Sequence, residues 1–366
     1  MKRSVTFFSL KTQFENVGDA LINRELIALC ANRSAVMVDA SRCPDAFIQS
    51  LAIQKYVPGA VRVSSPALFM RMMTGRVTGR QAYYFVAPGG YVGEKRGLAA
   101  LSSIVNTFVL AILWITGVKI CQVGVSYERL GWLHARILAV RSRIMFRVLV
   151  RDEHSLAYAR ALNLKVDGLI PDLAFGAARY RQDVSGCGTI ALSFRTDQYP
   201  GQRQQLLTLA RRLDETLPAS ISFRFIAQVE RDAEFMQQLV DSNCAAGRIR
   251  EFKSTFGDVD AAFDAYAGCS HVVSNRLHSL LFGLIGGCSP VAVVDESHNQ
   301  KISGLFDLLG IEYFHLSDSN MPALPDFHQR QMLDDAEHRA DIVLSQLHSL
   351  DNVFENIFNS KNEVKA

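Results

Sequence analysis

Residues 271–304, HVVSNRLHSLLFGLIGGCSPVAVVDESHNQKISG, hold the residue types best suited to chemistry. A short β-type run, His271 to Val273, ends in Ser274-Asn275, and Arg276 and His278 then open an apolar helix that reaches about Ile285. A guanidinium and an imidazole are thereby set at the carboxyl end of a strand, where open α/β sheets bind their ligands. A helix N-terminus at Leu277 adds free N–H groups and a positive dipole end, so the segment reads as an anion site with a proton donor beside it. Arg195 repeats the pattern: it follows the apolar strand TIALSF directly, and a charge in that place points at a ligand or must be paired, with Asp197 close by.

Three more polar or glycine-rich segments fall after predicted strands. Asn16, Gly18 and Asp19 open the first helix, Gly89-Gly90 follows YYFVAP, and Arg151-Asp152-Glu153 follows FRVLV. Each also has a purely structural reading: a helix-start residue for Asn16 and Asp19, a tight turn for Gly89-Gly90, and a capped, salt-bridged helix start for Arg151-Asp152-Glu153. The remaining histidines show no metal-ligand spacing and no paired aspartates mark a divalent site, so neither a metal nor a cofactor is expected. There is no phosphate-binding G-x-x-x-x-G-K-[ST] loop, no G-x-G-x-x-G after the first strand and no G-x-S-x-G elbow. These absences argue against an NTPase, a dinucleotide oxidoreductase and an α/β-hydrolase.

The elements that must position these groups alternate β and α from the start, which predicts an α/β protein with parallel sheets covered by helices. Strands are expected near 3–9, 35–39, 60–64, 82–87, 119–124 and 145–150, and in a second series near 189–194, 221–227, 248–252, 270–273 and 290–294. The polar segment Ala177 to Cys187 separates the series, giving two Rossmann-like domains, 1–180 and 186–366, facing a cleft. The second includes a long helix from about Leu333 to Phe358, with apolar residues at helical spacing, that closes the structure. A chain of 366 residues, 49% hydrophobic and 20% charged, suits two such cores.

A net charge of +3 does not call for nucleic acid, yet Arg129, Arg136, Arg141, Arg143, Arg147 and Arg151 follow one another with no acid between them. Seven scattered cysteines without a C-x-x-C pair predict neither disulfides nor zinc, and fit a reducing cytoplasm. No cleavable signal is read at the N-terminus. Residues 97–118 carry no charge and are long enough to span a bilayer. Ser102, Ser103, Asn106 and Thr107 interrupt them and a strand pattern follows at once, so a helix buried between sheet and neighbouring helices is the simpler expectation.

With these motifs the chain resembles the polysaccharide pyruvyl transferase family from about Asn16 to Phe314. The family's N-x-G-D is matched by Asn16, Gly18 and Asp19, its glycine pair by Gly89-Gly90, and its R-D-E/S motif by Arg151, Asp152, Glu153 and Ser155. Asp172 stands in its D-x-x-F. Most specific is the R-L-H-S core, Arg276-Leu277-His278-Ser279, followed by a small-residue helix, Gly287 to Pro290, a hydrophobic strand and Lys301. Two departures stand out: only Gly124 remains of a Gly-x-Gly after the strand at 119–124, and GGCSP replaces the shorter G-V-P.

The resemblance implies a GT-B-like fold and transfer of pyruvate from phosphoenolpyruvate onto a sugar of a cell-surface polysaccharide, or of its lipid-linked precursor, as a cyclic ketal. Arg195 and Arg276 would hold the carboxylate and phosphate of the donor, helped by Leu277, Ser279 and Lys301, and His278 would supply a proton. The saccharide acceptor would lie on the first domain near Asn16, Gly18, Asp19, Gly89 and Gly90. Acceptors in this family are often lipid-linked at the cytoplasmic face of the inner membrane, which gives the arginine-rich stretch 129–151 a use in peripheral membrane contact. Two other readings stay open from the residues alone. One is a GT-B glycosyltransferase using a sugar nucleotide, with Glu296 for the ribose; the other is a non-catalytic glycan-binding or scaffold protein of polysaccharide assembly.

Overall fold

Alternating apolar strands and amphipathic helices assemble into two parallel sheets, each covered by helices, as a computed structural model describes for residues 4–10, 12–75, 79–94, 97–181, 186, 188–242, 248–295, 298–316 and 336–360. Glu296, residues 182–185 of the expected linker and the charged tail 361–366 lie outside the described residues. Two compact units result. The first comprises residues 1–14, 22–176 and 348–366, the second residues 15–21 and 177–347.

The first unit runs β1 (Ser4–Ser9), α1 (Val17–Ala31), β2 (Ala35–Asp39), α2 (Asp45–Ser50), α3 (Ile53–Tyr56), β3 (Val61–Val63), α4 (Ser65–Gly75), β4 (Gln81–Val86), β5 (Gly89–Val92), α5 (Gly97–Ile115), β6 (Lys119–Glu128), α6 (Trp132–Arg143), β7 (Arg147–Val150), α7 (Glu153–Ala161) and β8 (Gly168–Leu169). Its strands pair in the order β3-β2-β1-β4-β6-β7-β8, all parallel, with β5 also on β6. Side chains alternate across the sheet. Val5 and Phe7 join Leu68, Met72, Leu110 and Leu113 on one face, while Phe8 stacks on Phe85 on the other.

That second face is covered by the terminal helix (Ala336–Asn359). Phe354 and Phe358 stack on Phe85 with ring centroids 6.0 and 6.2 Å away, Arg33 bonds Asp351, and Lys119 Nζ donates to the Ser360 carbonyl at 3.0 Å. Residues 348–366 thus belong to the first unit, not to the second as their chain position suggests. Tyr83 and Phe85 of β4 receive the rings of Phe354 and Phe358 on this face.

Two further differences from the sequence reading concern this unit. Gly89-Gly90 do not make a tight turn: β5 continues β4 along β6 in the same register, from Val86↔Gln122 to Gly89↔Val125. The ladder lapses at Ala87-Pro88, where proline offers no N–H, and Gly89 resumes it at φ +124°. Nor is α5 a buried helix; only 22% of its apolar stretch is inside. As a crossover it packs one face, Ala100, Ser103, Leu110 and Leu113, and the polar residues that suggested an interior setting are partly those that Arg141 bonds there.

Arg151, Asp152 and Asp172 form one buried network. Arg151 donates to Ser126 Oγ at 2.8 Å and pairs with Asp172 at 2.7 Å, while Asp152 caps α7 through the Ser155 N–H at 2.7 Å. The R-D-E motif and the aspartate of D-x-x-F therefore tie β6, β7 and α7 together. Gly124 sits at a bulge between Val123 and Val125 with φ +68°, and a Cβ there would come within 2.7 Å of Leu173.

The second unit runs β9 (Thr189–Ser193), α8 (Gln202–Thr216), β10 (Ser222–Ala227), α9 (Glu230–Asp241), β11 (Arg250–Ser254), α10 (Val259–Tyr266), β12 (His271–Ser274), α11 (Leu277–Ile285), β13 (Ser289–Val294), α12 (Gln300–Leu309) and β14 (Tyr313–His315). Strand order is β11-β10-β9-β12-β13-β14. Helices α8 and α9 bury Leu206, Leu213, Phe235 and Met236 against Leu192, Phe223 and Phe225. On the other face α11 comes so close to β12 that a Cβ on Gly283 would lie 2.3 Å from Val272 Cγ1.

An ion cluster locks the far edge of this sheet. Asp214 on α8 binds Arg248 Nε at 2.7 Å and Arg250 at 2.6 Å, and Arg248 also donates to the carbonyls of Asp214, Leu217, Pro218 and Ile221. Removing one partner of such a buried pair leaves charge without compensation. Asp214→Ala is expected to cost about 3–5 kcal/mol of stability, read as a lower urea midpoint with an unchanged slope.

Candidate functional site

The strand order of the second sheet reverses between β9 and β12: from β9 the chain moves outward through β10 to β11, and from β12 the other way through β13 to β14. Loops leaving the two neighbouring strands part in opposite directions, and the crevice so formed is where doubly wound sheets bind ligands. Arg195 leaves β9 and Arg276 leaves β12 at that point. Asn275 holds the two loops together. Its Oδ1 accepts the Arg195 N–H and its Nδ2 donates to the Arg195 carbonyl, both at 2.8 Å.

Arg276 occupies the N-cap position of α11 with an extended backbone, φ −113° and ψ 122°, and its N–H donates to Ser274 Oγ at 2.9 Å. Arg276 places no side-chain cap on this helix, so the N-terminal end remains electrostatically open. The guanidinium pairs with Asp232 on α9, and its Nε is buried with no hydrogen-bond acceptor among the described residues. A buried donor left without an acceptor costs roughly 1–3 kcal/mol, a cost that an incoming anion would remove.

Arg195 pairs with Asp197, which Arg231 also approaches at 3.4 Å. Three arginines thus surround two carboxylates, leaving positive charge in excess. Burial would raise the Asp197 carboxyl, but its bond to Arg195 and the charges of Arg195, Arg231 and Arg276 outweigh it and hold it below the ordinary range. Asp197 accordingly contributes stability above the usual carboxylate range, lost as pH falls through its lowered value. Asp232 goes the other way: burial pushes it up despite Arg276 and Arg231. Burial likewise lowers Arg276, against the pull of Asp232.

His278 stands on the first turn of α11, and Gly18 lies directly beneath it. A Cβ at Gly18 would fall 2.0 Å from His278 Nδ1 and 2.2 Å from Cγ. Asn16 accepts the Gly18 N–H at 3.0 Å and donates to Asp19 at 3.3 Å, a helix-start arrangement that fixes Gly18 in place. Residues 15–21 group with the second unit, in keeping with the packing of Gly18 against His278.

A family model described as polysaccharide pyruvyl transferase matches residues 16–297, from Asn16 through the end of the β13 loop. The chain belongs to the polysaccharide pyruvyl transferase family. No curated protein matches it in sequence. Among solved structures it is similar to a glycosyltransferase from Rickettsia africae (10% identity, 98% of this chain and 100% of that one, TM-score 0.60). It is also similar to Anabaena Alr3699/HepE in complex with UDP-glucose (11%, 97% and 98%, 0.57) and to a UDP-N-acetylglucosamine 2-epimerase, so described, from Listeria monocytogenes (8%, 99% and 98%, 0.56). These likenesses establish a GT-B-like fold of two Rossmann-like units.

In this pyruvyl transferase family member the expected residues do not all gather. Arg195, Arg276, Leu277, His278 and Gly18 come together at the β9/β12 crevice. Lys301 is the second residue of α12, after the β13 loop. Gly89 and Gly90 belong to the first unit, in β5. Ser279 is fully buried, donates to Ser193 Oγ at 3.0 Å and bonds Tyr266, whose phenol burial pushes up, so it braces α11 against β9.

Sequence reading missed Arg231 and Asp232, although Val-Glu-Arg-Asp directly after the β10 strand is the same signal that marked Arg195. It also missed Asn275 and the dyad in which His298 Nδ1 meets Asp295 Oδ1 at 2.7 Å, with the ring against Tyr199. Asn299 links that loop to the site through the Asn275 carbonyl at 3.4 Å. Among the described residues no three His, Cys, Asp or Glu side chains gather as metal ligands.

Gly18→Ala tests the contact with His278. The added Cβ would also fall 2.6 Å from His278 Cβ, so the ring cannot simply swing aside. Overpacking of this kind is expected to cost about 1–3 kcal/mol of stability, read as a lower urea midpoint.

Proposed function

We propose that the protein transfers the enolpyruvyl carbons of phosphoenolpyruvate to a saccharide acceptor of a cell-surface polysaccharide, free or lipid-linked, closing a cyclic pyruvate ketal. The observation that carries this reading is Arg276: a buried guanidinium with an unsatisfied Nε, at the switch point of a Rossmann-like sheet, two residues from His278 and across the Asn275 clamp from Arg195. Phosphoenolpyruvate carries a phosphate and a carboxylate on one small frame, and forked guanidinium groups suit both.

The chemistry follows from the charge distribution. Arg276 and Arg195 hold the two anionic groups, with the open end of α11 adding its dipole. Protonated His278 gives its proton to the methylene carbon, which becomes the methyl group, and the central carbon gains cationic character. One sugar hydroxyl adds to that carbon and returns its proton to His278. A second hydroxyl of the same sugar then adds as the C–O bond to phosphate breaks, and its proton leaves on hydrogen phosphate. Atoms and charge balance without a redox partner, and no cofactor enters the proposal. General acid–base help of this kind is worth roughly 10²- to 10⁴-fold, and a fixed charge donor roughly 10²- to 10³-fold. Gly89 and Gly90, at the start of β5, are assigned to the acceptor, and the reaction is assigned to the cytoplasmic side.

Phosphoenolpyruvate is expected to raise the unfolding temperature of the full chain, and UDP-sugars are not. His278→Ala should lower turnover by roughly 10²- to 10⁴-fold while its donor-induced stabilisation persists. Arg276→Lys should weaken that stabilisation. Stabilisation by a sugar nucleotide and not by phosphoenolpyruvate would assign the site to glycosyl transfer instead.

A further inference from the structure

Helix α5 presents apolar side chains to solvent as well as to the sheet. Its exposed residues Leu98, Leu101, Val105, Phe108, Ile112 and Ile115 follow one another at steps of three and four, a continuous apolar stripe. Leu98 is 85% exposed, and Phe108 and Ile115 are each 72% exposed. Ser103 and Thr107 sit on the inner side, where Arg141 of α6 donates to Ser103 Oγ and Thr107 Oγ1 at 3.0 Å. A stripe this long, facing solvent, marks an interaction surface.

The neighbouring helix says what covers it. Along the exposed side of α6 stand Trp132, Arg136, Val140 and Arg143, with the Arg136 guanidinium 4.9 Å from the Trp132 ring. Neither helix contains an acid. An apolar stripe bordered by tryptophan and arginine matches a lipid interface: chains take the aliphatic and aromatic side chains, and anionic headgroups take the guanidinium groups. The fold also rules out a span. Helix α5 links β5 to β6, which pair with each other, so both its ends are anchored on one sheet and it can only lie flat.

The geometry points to the α5–α6 face of the first unit as the surface that docks this protein, in the plane of the headgroups, on an anionic lipid bilayer. This goes beyond the transfer chemistry and needs neither donor nor acceptor, so its failure would leave that chemistry standing, and the reverse also holds.

The chain has two tryptophans, Trp114 near the end of α5 and Trp132 on the exposed side of α6, 53% and 69% exposed, so intrinsic emission reports on docking through Trp132 beside the stripe. Full-length protein is titrated with vesicles of phosphatidylcholine alone and of phosphatidylcholine mixed with phosphatidylglycerol. Expected are a blue shift and co-sedimentation with the mixed vesicles, weakened by salt. Leu101→Ser with Phe108→Ser should reduce partitioning by more than roughly tenfold. Arg136→Gln with Arg143→Gln should reduce it several-fold and remove the preference for anionic lipid. Both pairs are exposed and should leave the unfolding midpoint unchanged. Emission that stays constant with both vesicle types overturns the proposal. So does a dimer in sedimentation velocity that the Leu101→Ser, Phe108→Ser variant dissolves while vesicles bind neither protein, since the face then joins two copies of the chain.

Discussion

The arrangement of charges in the second unit depends on a constraint of topology: β9 and β12 are neighbours in the sheet, yet the chain leaves them in opposite directions. Among the described residues no main-chain hydrogen bond joins the departing loops, and side chains line the gap. Asn275 turns that gap into a defined site by bonding both backbone groups of Arg195 from the opposite loop. The spacing between the arginines is thereby set by an amide clamp and not by the arginines themselves, which repel one another.

Burial alone does not separate the arginines of this unit by role. Arg248 and Arg276 are both largely enclosed and both face an aspartate. Arg248 spends its donors on Asp214 and four carbonyls, so nothing remains for a ligand. Arg276 keeps a buried Nε without an acceptor and sits among more positive than negative groups. Arg151 lies nearer to Arg248, since its Nε and Nη1 donate to Ser126 and Asp172.

Much of this was legible in the chain because the signals are local. A strand, two polar residues, an arginine and an apolar helix follow directly in the order 271–285, and strand order plays no part in reading them. The backbone at Gly89-Gly90 was not legible, because a glycine pair after a strand looks the same whether the chain turns or resumes the ladder beyond a proline; only pairing with β6 decides. Helix α5 was misread because its polar residues were counted but not placed, and Ser103 and Thr107 point inward to an arginine three dozen positions on in α6. Gly18 was recognised by motif, but the reason for glycine is His278, which no local pattern could supply.

The terminal helix carries a consequence for biosynthesis. Phe354 and Phe358 complete the aromatic face begun by Phe8 and Phe85, so the first sheet stays open on one side until those two residues have left the ribosome. Domains generally mature in the order of their synthesis. Here the order is inverted: residues 177–347 can finish first, while the first sheet waits for Phe354 and Phe358.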